Sequence, residues 1–167
     1  MIFIGLGANL PHPLYGKPSK TLKAAVKRLS SSVTKVLACS PMYISNPVPI
    51  SDDPSFINVV VSIDTDLAPS DLMSFMHSIE KQFGRVRTTI NAARVIDLDL
   101  IAYKDELTSS GDNPILPHPR MSERGFVLLP LADLDPNWKH PKTGISVREL
   151  IKALPLEQKC NRLPDEP

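Results

Sequence analysis

Hydrophobic and polar residues follow a pattern along the first hundred positions that predicts strands and helices in turn. The apolar run MIFIGL predicts a first strand, which would end at Gly7 and Asn9. Apolar residues at helical spacing then predict an amphipathic helix over about residues 19–32. Two β-branched runs, SVTKVLACSPMYI and SFINVVVSIDT, predict the second and third strands.

The second half of the pattern adds another helix and another strand. Pro69 and Asp71 are typical of a helix start, and Gly84 is typical of a helix end. The run RVIDLDLIAY at 94–103 predicts a fourth strand. The order β-α-β-β-α-β is that of a ferredoxin-like sandwich, so we predict an α+β fold with an antiparallel sheet.

Beyond residue 105 the periodicity is weaker, and proline is frequent. We predict a short strand near NPILP and helical additions at about residues 121–133 and 146–154. An irregular tail is predicted from about residue 155. The length of 167 residues suits one domain spanning 1–167.

Charge and cysteine content narrow the class of function. Lysine and arginine together number 19 against 18 acidic residues, so the net charge of +1 favours neither a nucleic-acid partner nor a membrane surface. The apolar N-terminal run is too short for a signal peptide or a membrane span. Cys39 and Cys160 lack metal-site spacing and are interpreted as reduced thiols in a cytoplasmic protein.

Two aspartates interrupt the apolar fourth strand. Because strand side chains alternate, Asp97 and Asp99 lie on one face, while Ile96, Leu98 and Leu100 pack on the helices from the other. The two aspartate Cα atoms would be roughly 6.5–7 Å apart. A carboxylate pair this close is relieved by a shared proton or by a cation such as Mg²⁺, which prefers oxygen ligands.

Cationic residues surround this pair in the sequence. They are Arg85, Arg87 and Arg94 upstream and His118, Arg120 and Arg124 downstream. The planar guanidinium suits phosphate oxygens, so the combination favours phosphoryl chemistry, although no P-loop is present. From the residues alone, a solvated carboxylate pair and a solvated arginine loop remain the alternative.

Longer motifs then indicate a family. The runs IGLGANL, SPMYISNPV, SFINVV, GRVR, ARVIDLDLIAY and LPHPRMSERGFVLLPLADLDP together resemble 6-hydroxymethyl-7,8-dihydropterin pyrophosphokinase, a folate-pathway enzyme. The resemblance covers the chain to about residue 154. It implies a ferredoxin-like fold and transfer of the β,γ-pyrophosphoryl group of ATP to the pterin hydroxymethyl oxygen, giving AMP.

The resemblance also implies roles for individual residues. Two Mg²⁺ ions would be held by Asp97 and Asp99, which form the catalytic set with Arg85 and Arg94. ATP would be bound by four further side chains: Glu80, Arg87, His118 and Arg124. The pterin would be bound by Ser45, Val48, Phe56, Asn58 and Phe126. The implied partners are these two small-molecule substrates, with no nucleic acid and no membrane, and the implied state is a monomer.

The sequence departs from the family pattern in the loop before Arg94. Many members carry a tryptophan and a proline where this sequence has Asn91 and Ala93, and a lysine where it has Thr88. Residue type alone favours plainer interpretations of several site residues. Phe56 and Phe126 would be core residues, His118 would be a structural loop residue, and Glu80 would be solvated at the edge of its helical face. The resemblance reverses the interpretations of the first three residues and leaves that of Glu80 open.

The sequence disfavours two other functional classes. A non-catalytic RNA-binding module is disfavoured because its sheet would present two aspartates to a phosphate backbone. A metal-dependent phosphoesterase is disfavoured because the sequence lacks a further cluster of histidine and aspartate ligands.

Overall fold

The helices and strands alternate along the chain much as the hydrophobic pattern predicts. The structure, a computed structural model, describes residues 1–85 and 93–164. Its principal elements are β1 (Ile2–Ala8), α1 (Pro18–Leu29), β2 (Thr34–Cys39), β3 (Tyr43–Ser45), β4 (Phe56–Thr65), α2 (Pro69–Gln82), β5 (Asp97–Tyr103), α3 (Gly125–Leu134), α4 (Val147–Lys152) and β6 (Cys160–Arg162). Short 3₁₀ turns occupy Met121–Glu123 and Leu156–Gln158.

In the described part of the chain the strands form one six-stranded antiparallel sheet in the order β5-β1-β4-β3-β6, and β2 also pairs with β4. Helices α1 and α2 pack on one face of the sheet through residues such as Leu6, Val61 and Leu100. Helices α3 and α4 pack on the other face through Phe3 and Ile101. The predicted α+β, ferredoxin-like fold class with C-terminal helical additions is confirmed.

The structure corrects five details of the prediction. The second strand is divided into β2 and β3, because Pro41 has no N–H to donate to the sheet, although the Ser40 backbone N–H still donates to the Val60 carbonyl at 2.9 Å. β1 continues past Gly7 to Ala8, and β5 begins at Asp97, later than predicted.

The predicted strand near NPILP is wrong, and the predicted irregular tail is partly ordered. Pro114 and Pro117 cannot donate to a ladder, and the segment is a loop held by Thr108, whose hydroxyl donates to the Pro114 carbonyl at 3.0 Å. In the tail, β6 pairs with β3 in a register that places Cys160 opposite Ser45. Among the described residues, no helix has the length and apolar character needed to span a bilayer.

Candidate active site

A row of residues across three neighbouring strands builds the floor of the site. In the sheet register, Gly7 of β1 lies between Asp97 of β5 and Asn58 of β4. Residues paired in this way point to the same face, which here is the face of α3. A Cβ atom at Gly7 would lie 3.1 Å from the Asn58 Oδ1, so the glycine keeps this floor open. Asp97 and Asn58 are therefore two strand spacings apart, about 10 Å.

The pocket above this floor has a volume of about 390 Å³. Nearly all of the predicted site residues that the structure describes line it: Ser45, Val48, Phe56, Asn58, Arg85, Arg94, Asp97, Asp99, His118, Arg124 and Phe126. Arg87, Thr88 and Asn91 lie outside the described residues. The predicted alternation in β5 is confirmed, because both aspartates face the pocket while Leu98 and Leu100 lie in the core beneath α1 and α2.

Arginines hold both oxygens of the first aspartate. Arg85 contacts Asp97 Oδ1, and the Arg94 Nη1 lies 2.7 Å from Asp97 Oδ2. Burial lowers the pKa of Arg85, but the carboxylates of Asp97 and Glu80 outweigh it, so that the pKa is raised overall. Two guanidinium groups thus already neutralise Asp97 in this structure.

The second aspartate is compensated less well. Among residues 1–85 and 93–164, the cationic partner of Asp99 is Arg124, whose Nη1 lies 3.5 Å from Asp99 Oδ2. Burial at the pocket base and repulsion from Asp97 raise the pKa of Asp99 to about 6. A bound cation would stabilise the ionised form of Asp99, because its positive charge would offset both the burial and the repulsion from Asp97.

This raised pKa predicts a pH-dependent cost to folding. The folded protein binds a proton at Asp99 more tightly than the unfolded chain does. The protonated Asp99 therefore stabilises the fold at low pH, and this stabilisation is lost as pH rises from about 4 to about 6. Without nucleotide or divalent ions, the unfolding free energy of Asp99→Asn relative to that of the wild type should therefore increase as pH is raised from about 4.5 to about 7. The side chain is 36% exposed, and after discounting for solvent screening we expect a gain on the order of 1 kcal/mol.

Urea unfolding of the two proteins at both pH values measures this difference. Equal unfolding free energies at every pH would show that the ionised Asp99 costs the fold nothing.

Glu80 lies behind the pocket wall. The residue is 2% exposed, its carboxylate contacts Arg85, and its Oε1 accepts a hydrogen bond from the backbone N–H of Leu98 at 2.8 Å. The plain expectation of a solvated glutamate is wrong for this residue. Its predicted part in ATP binding stays a prediction, while the geometry supports a role in positioning Arg85 and the start of β5.

His118 lines the pocket and is neutral at physiological pH. Burial, together with Arg124 and Arg120, lowers the pKa of His118 to about 4. Its Nδ1 accepts the backbone N–H of Arg120 at 3.2 Å, which leaves Nε2 as the protonated donor nitrogen. The guanidinium of Arg124 lies 5.5 Å from the ring centroid of Phe126. This side of the pocket therefore offers two donors suited to phosphate or to a heterocycle.

The opposite end of the pocket is polar at its base and aromatic at its sides. The Asn58 Nδ2 donates to the Ser45 Oγ at 2.9 Å, and Asn58 is 5% exposed. Phe56 and Phe126 line the same pocket, as does Val48 from the loop after β3. A buried amide with aromatic neighbours suits a flat, polar-edged heterocycle.

Sequence reasoning missed several pocket residues. They include Gly5 and Gly7 on β1, Met73 and His77 on α2, and Gln158 near the C-terminus. The Gly-x-Gly spacing in a strand was an available signal, because glycine in a strand interior often marks a close approach by a ligand or by backbone. No local signal points to Gln158, which is brought to the pocket by the pairing of β6 with β3 and by its contact with Gly125.

The donor set fits a divalent cation together with phosphate. Mg²⁺ is commonly held by one or two carboxylates and completes its coordination with water and substrate phosphate. No group of three or more histidine, cysteine, aspartate or glutamate side chains is placed for metal binding in the part of the chain described. Asp97 and Asp99 therefore fit a cation that arrives with a nucleotide better than a closed structural metal site.

Similar proteins point to one family. Residues 3–136 match the family described as 7,8-dihydro-6-hydroxymethylpterin-pyrophosphokinase (HPPK). The 2-amino-4-hydroxy-6-hydroxymethyldihydropteridine pyrophosphokinase of Pseudomonas aeruginosa is 39% identical over 168 residues, which covers 98% of this chain and 96% of that protein. The protein of the same name from Haemophilus influenzae is 34% identical over 151 residues, which covers 90% of this chain and 90% of that protein.

Some relatives are longer proteins. The folic acid synthesis protein fol1 of Pneumocystis carinii is 38% identical over 153 residues, and the chain spans 20% of its length. A solved structure of Plasmodium falciparum HPPK-DHPS superposes with a TM-score of 0.72 at 15% identity, covering 90% of this chain and 42% of that one. The likeness to this solved structure supports the fold alone. The family match over residues 3–136, together with a relative of similar length at 39% identity, shows that the chain belongs to the HPPK family.

Proposed function

We propose that the protein transfers the pyrophosphoryl group of ATP to the hydroxymethyl oxygen of 6-hydroxymethyl-7,8-dihydropterin, giving AMP and the pterin diphosphate in folate biosynthesis. Family membership supports this reaction, and so do relatives that are named as pyrophosphokinases. One observation carries the proposal. A single pocket joins a carboxylate and arginine end, suited to a metal-bound triphosphate, to an amide and aromatic end, suited to a pterin.

The geometry of the floor supports an arrangement in which the two substrates would meet above Gly7. A flat bicyclic ring lying over Gly7 would have its polar edge at Asn58 and its hydroxymethyl group toward Asp97. Phe56 and Phe126 would contact the ring, and Ser45 would orient the Asn58 amide. Substrate positioning of this kind supplies much of the rate enhancement in phosphoryl transfer.

The reaction balances without an obligatory base from the protein. The hydroxymethyl oxygen bonds to the β-phosphorus, the bond from that phosphorus to the oxygen bridging the α-phosphate breaks, and AMP leaves with that oxygen. The hydroxyl proton is released to solvent. Asp97 and Asp99 would hold two Mg²⁺ ions, which when bound would offset phosphate charge and acidify the hydroxyl.

The arginines would change partner when the nucleotide binds. Arg85 and Arg94 contact Asp97 in this structure, and a triphosphate carries more negative charge than one carboxylate. We therefore expect both guanidinium groups to move toward the phosphates, where they would stabilise charge on the transferred group and on AMP. Glu80 would keep Arg85 near the pocket throughout this change.

Product analysis tests the function directly. The protein is incubated with ATP, Mg²⁺ and 6-hydroxymethyl-7,8-dihydropterin, and the products are separated by chromatography. AMP and the pterin diphosphate should accumulate in equal amounts, and neither should form when the pterin is omitted. Release of free phosphate without the pterin would indicate hydrolysis and contradict the proposal.

Three related expectations stay predictions: a single domain over residues 1–167, a monomeric state and a cytoplasmic location. ATP as co-substrate agrees with the kinase name of the family, and we expect two Mg²⁺ ions per active site.

A further inference from the structure

The C-terminal segment Leu156–Arg162 lies against the strand that carries Ser45. β6 pairs with β3, with Cys160 opposite Ser45 and Arg162 opposite Tyr43. The backbone N–H of Leu163 extends this contact by donating to the Met42 carbonyl at 2.8 Å. The segment is thus held beside the amide and aromatic end of the pocket.

The segment also packs against the start of α3. The Gly125 backbone N–H donates to the Gln158 Oε1 at 3.3 Å. A Cβ atom at Gly125 would overlap the carbonyl oxygen of Gln158, so only glycine lets the segment pass at this position. Because Gly125 directly precedes Phe126, the contact fixes Gln158 next to one of the pocket's aromatic residues.

Gln158 itself lines the pocket and is half-buried. Since its Oε1 accepts from Gly125, its Nε2 carries the two N–H donors. Across residues 1–85 and 93–164, Nε2 has no hydrogen-bond partner. A half-buried donor group that lines a ligand pocket is suited to a ligand acceptor.

We propose that the C-terminal segment forms a wall of the pterin pocket and that Gln158 donates a hydrogen bond to an acceptor on the bound pterin, a ring carbonyl or ring nitrogen. This rests on the proposed function for the identity of the ligand. Gln158 is then a binding and specificity residue, and it takes no part in phosphate chemistry.

The test compares Gln158→Ala and Gln158→Glu with Lys159→Ala, a control at the adjacent, exposed position. At saturating ATP, the KM for the pterin should rise about tenfold in both Gln158 variants, because neither side chain donates a hydrogen bond. The KM for ATP and the unfolding temperature should match those of the wild type. Lys159→Ala should leave both KM values unchanged.

Direct binding separates this inference from the proposed function. The cleaved bond is the one between the α- and β-phosphates, so α,β-methylene-ATP should permit pterin binding without turnover. Fluorescence titration with this analogue should show the same tenfold weakening in Gln158→Ala. A wild type that binds the pterin but forms no AMP would contradict the proposed function and leave this assignment standing.

Two results would overturn the inference. Wild-type pterin affinity in Gln158→Glu, with a loss in Gln158→Ala alone, would show that the side chain only fills space. An equal rise in both KM values would show a general change in the pocket.

Discussion

Replacing Asp97 or Asp99 with asparagine is expected to lower AMP formation by about 10³-fold or more. Asparagine keeps the shape of each side chain and removes the negative charge, so the loss reports the charge itself. Both carboxylates face the pocket and lie within reach of arginines, where a metal-bound triphosphate would sit. The measurement is the rate of AMP formation at saturating ATP, Mg²⁺ and pterin.

The two variants should differ in stability although they share the loss of activity. Asp97→Asn weakens contacts with Arg85 and Arg94 and should lower the unfolding temperature by a few degrees, about 2–5 °C. Asp99→Asn removes a carboxylate whose pKa is raised to about 6 and should be no less stable than the wild type at neutral pH.

The matched control is Asp105→Asn, which neutralises an exposed aspartate just after β5. It should retain full activity and full stability. If Asp97→Asn or Asp99→Asn keeps more than about a tenth of wild-type activity, the carboxylates do not hold the metal.

Arg85→Lys is expected to reduce kcat by about 10²- to 10³-fold with a smaller change in the KM for ATP. Lysine keeps the positive charge but loses the planar fork that can contact two oxygens at once. In this structure the same nitrogen, Arg85 Nη1, contacts both Glu80 and Asp97. Arg148→Lys on the exposed face of α4 is the control and should behave as the wild type.

A double-mutant cycle with Glu80→Gln separates two roles for Glu80. Glutamine can still accept the Leu98 N–H but lacks the charge that holds Arg85. If Glu80 acts by positioning Arg85, adding Glu80→Gln to Arg85→Lys should cost little more than Arg85→Lys alone. Additive losses, with a raised KM for ATP, would indicate instead that Glu80 contacts the nucleotide.

The sequence was sufficient to predict the fold class, the family and the face of β5 on which both aspartates lie. Strand alternation assigns Asp97 and Asp99 to one face and Leu98 to the other without any tertiary information, because it depends only on backbone geometry. The longer motifs also predicted that Asn58 and Phe126 belong to one site, and both line the same pocket. These residues can be predicted because the sequence pattern that identifies them lies within a few positions of each one.

The tertiary structure decided what depends on contacts between distant segments. Gly7 forms the floor because β1 lies between β4 and β5, an order that local periodicity does not encode. Glu80 is buried because α2 brings it to Arg85 and to the start of β5, and Gln158 reaches the pocket because β6 pairs with β3. A sequence specifies which face a side chain takes within its own element. Only packing between elements determines which charges are neutralised and which donors remain for a ligand, because those depend on distances across the sheet.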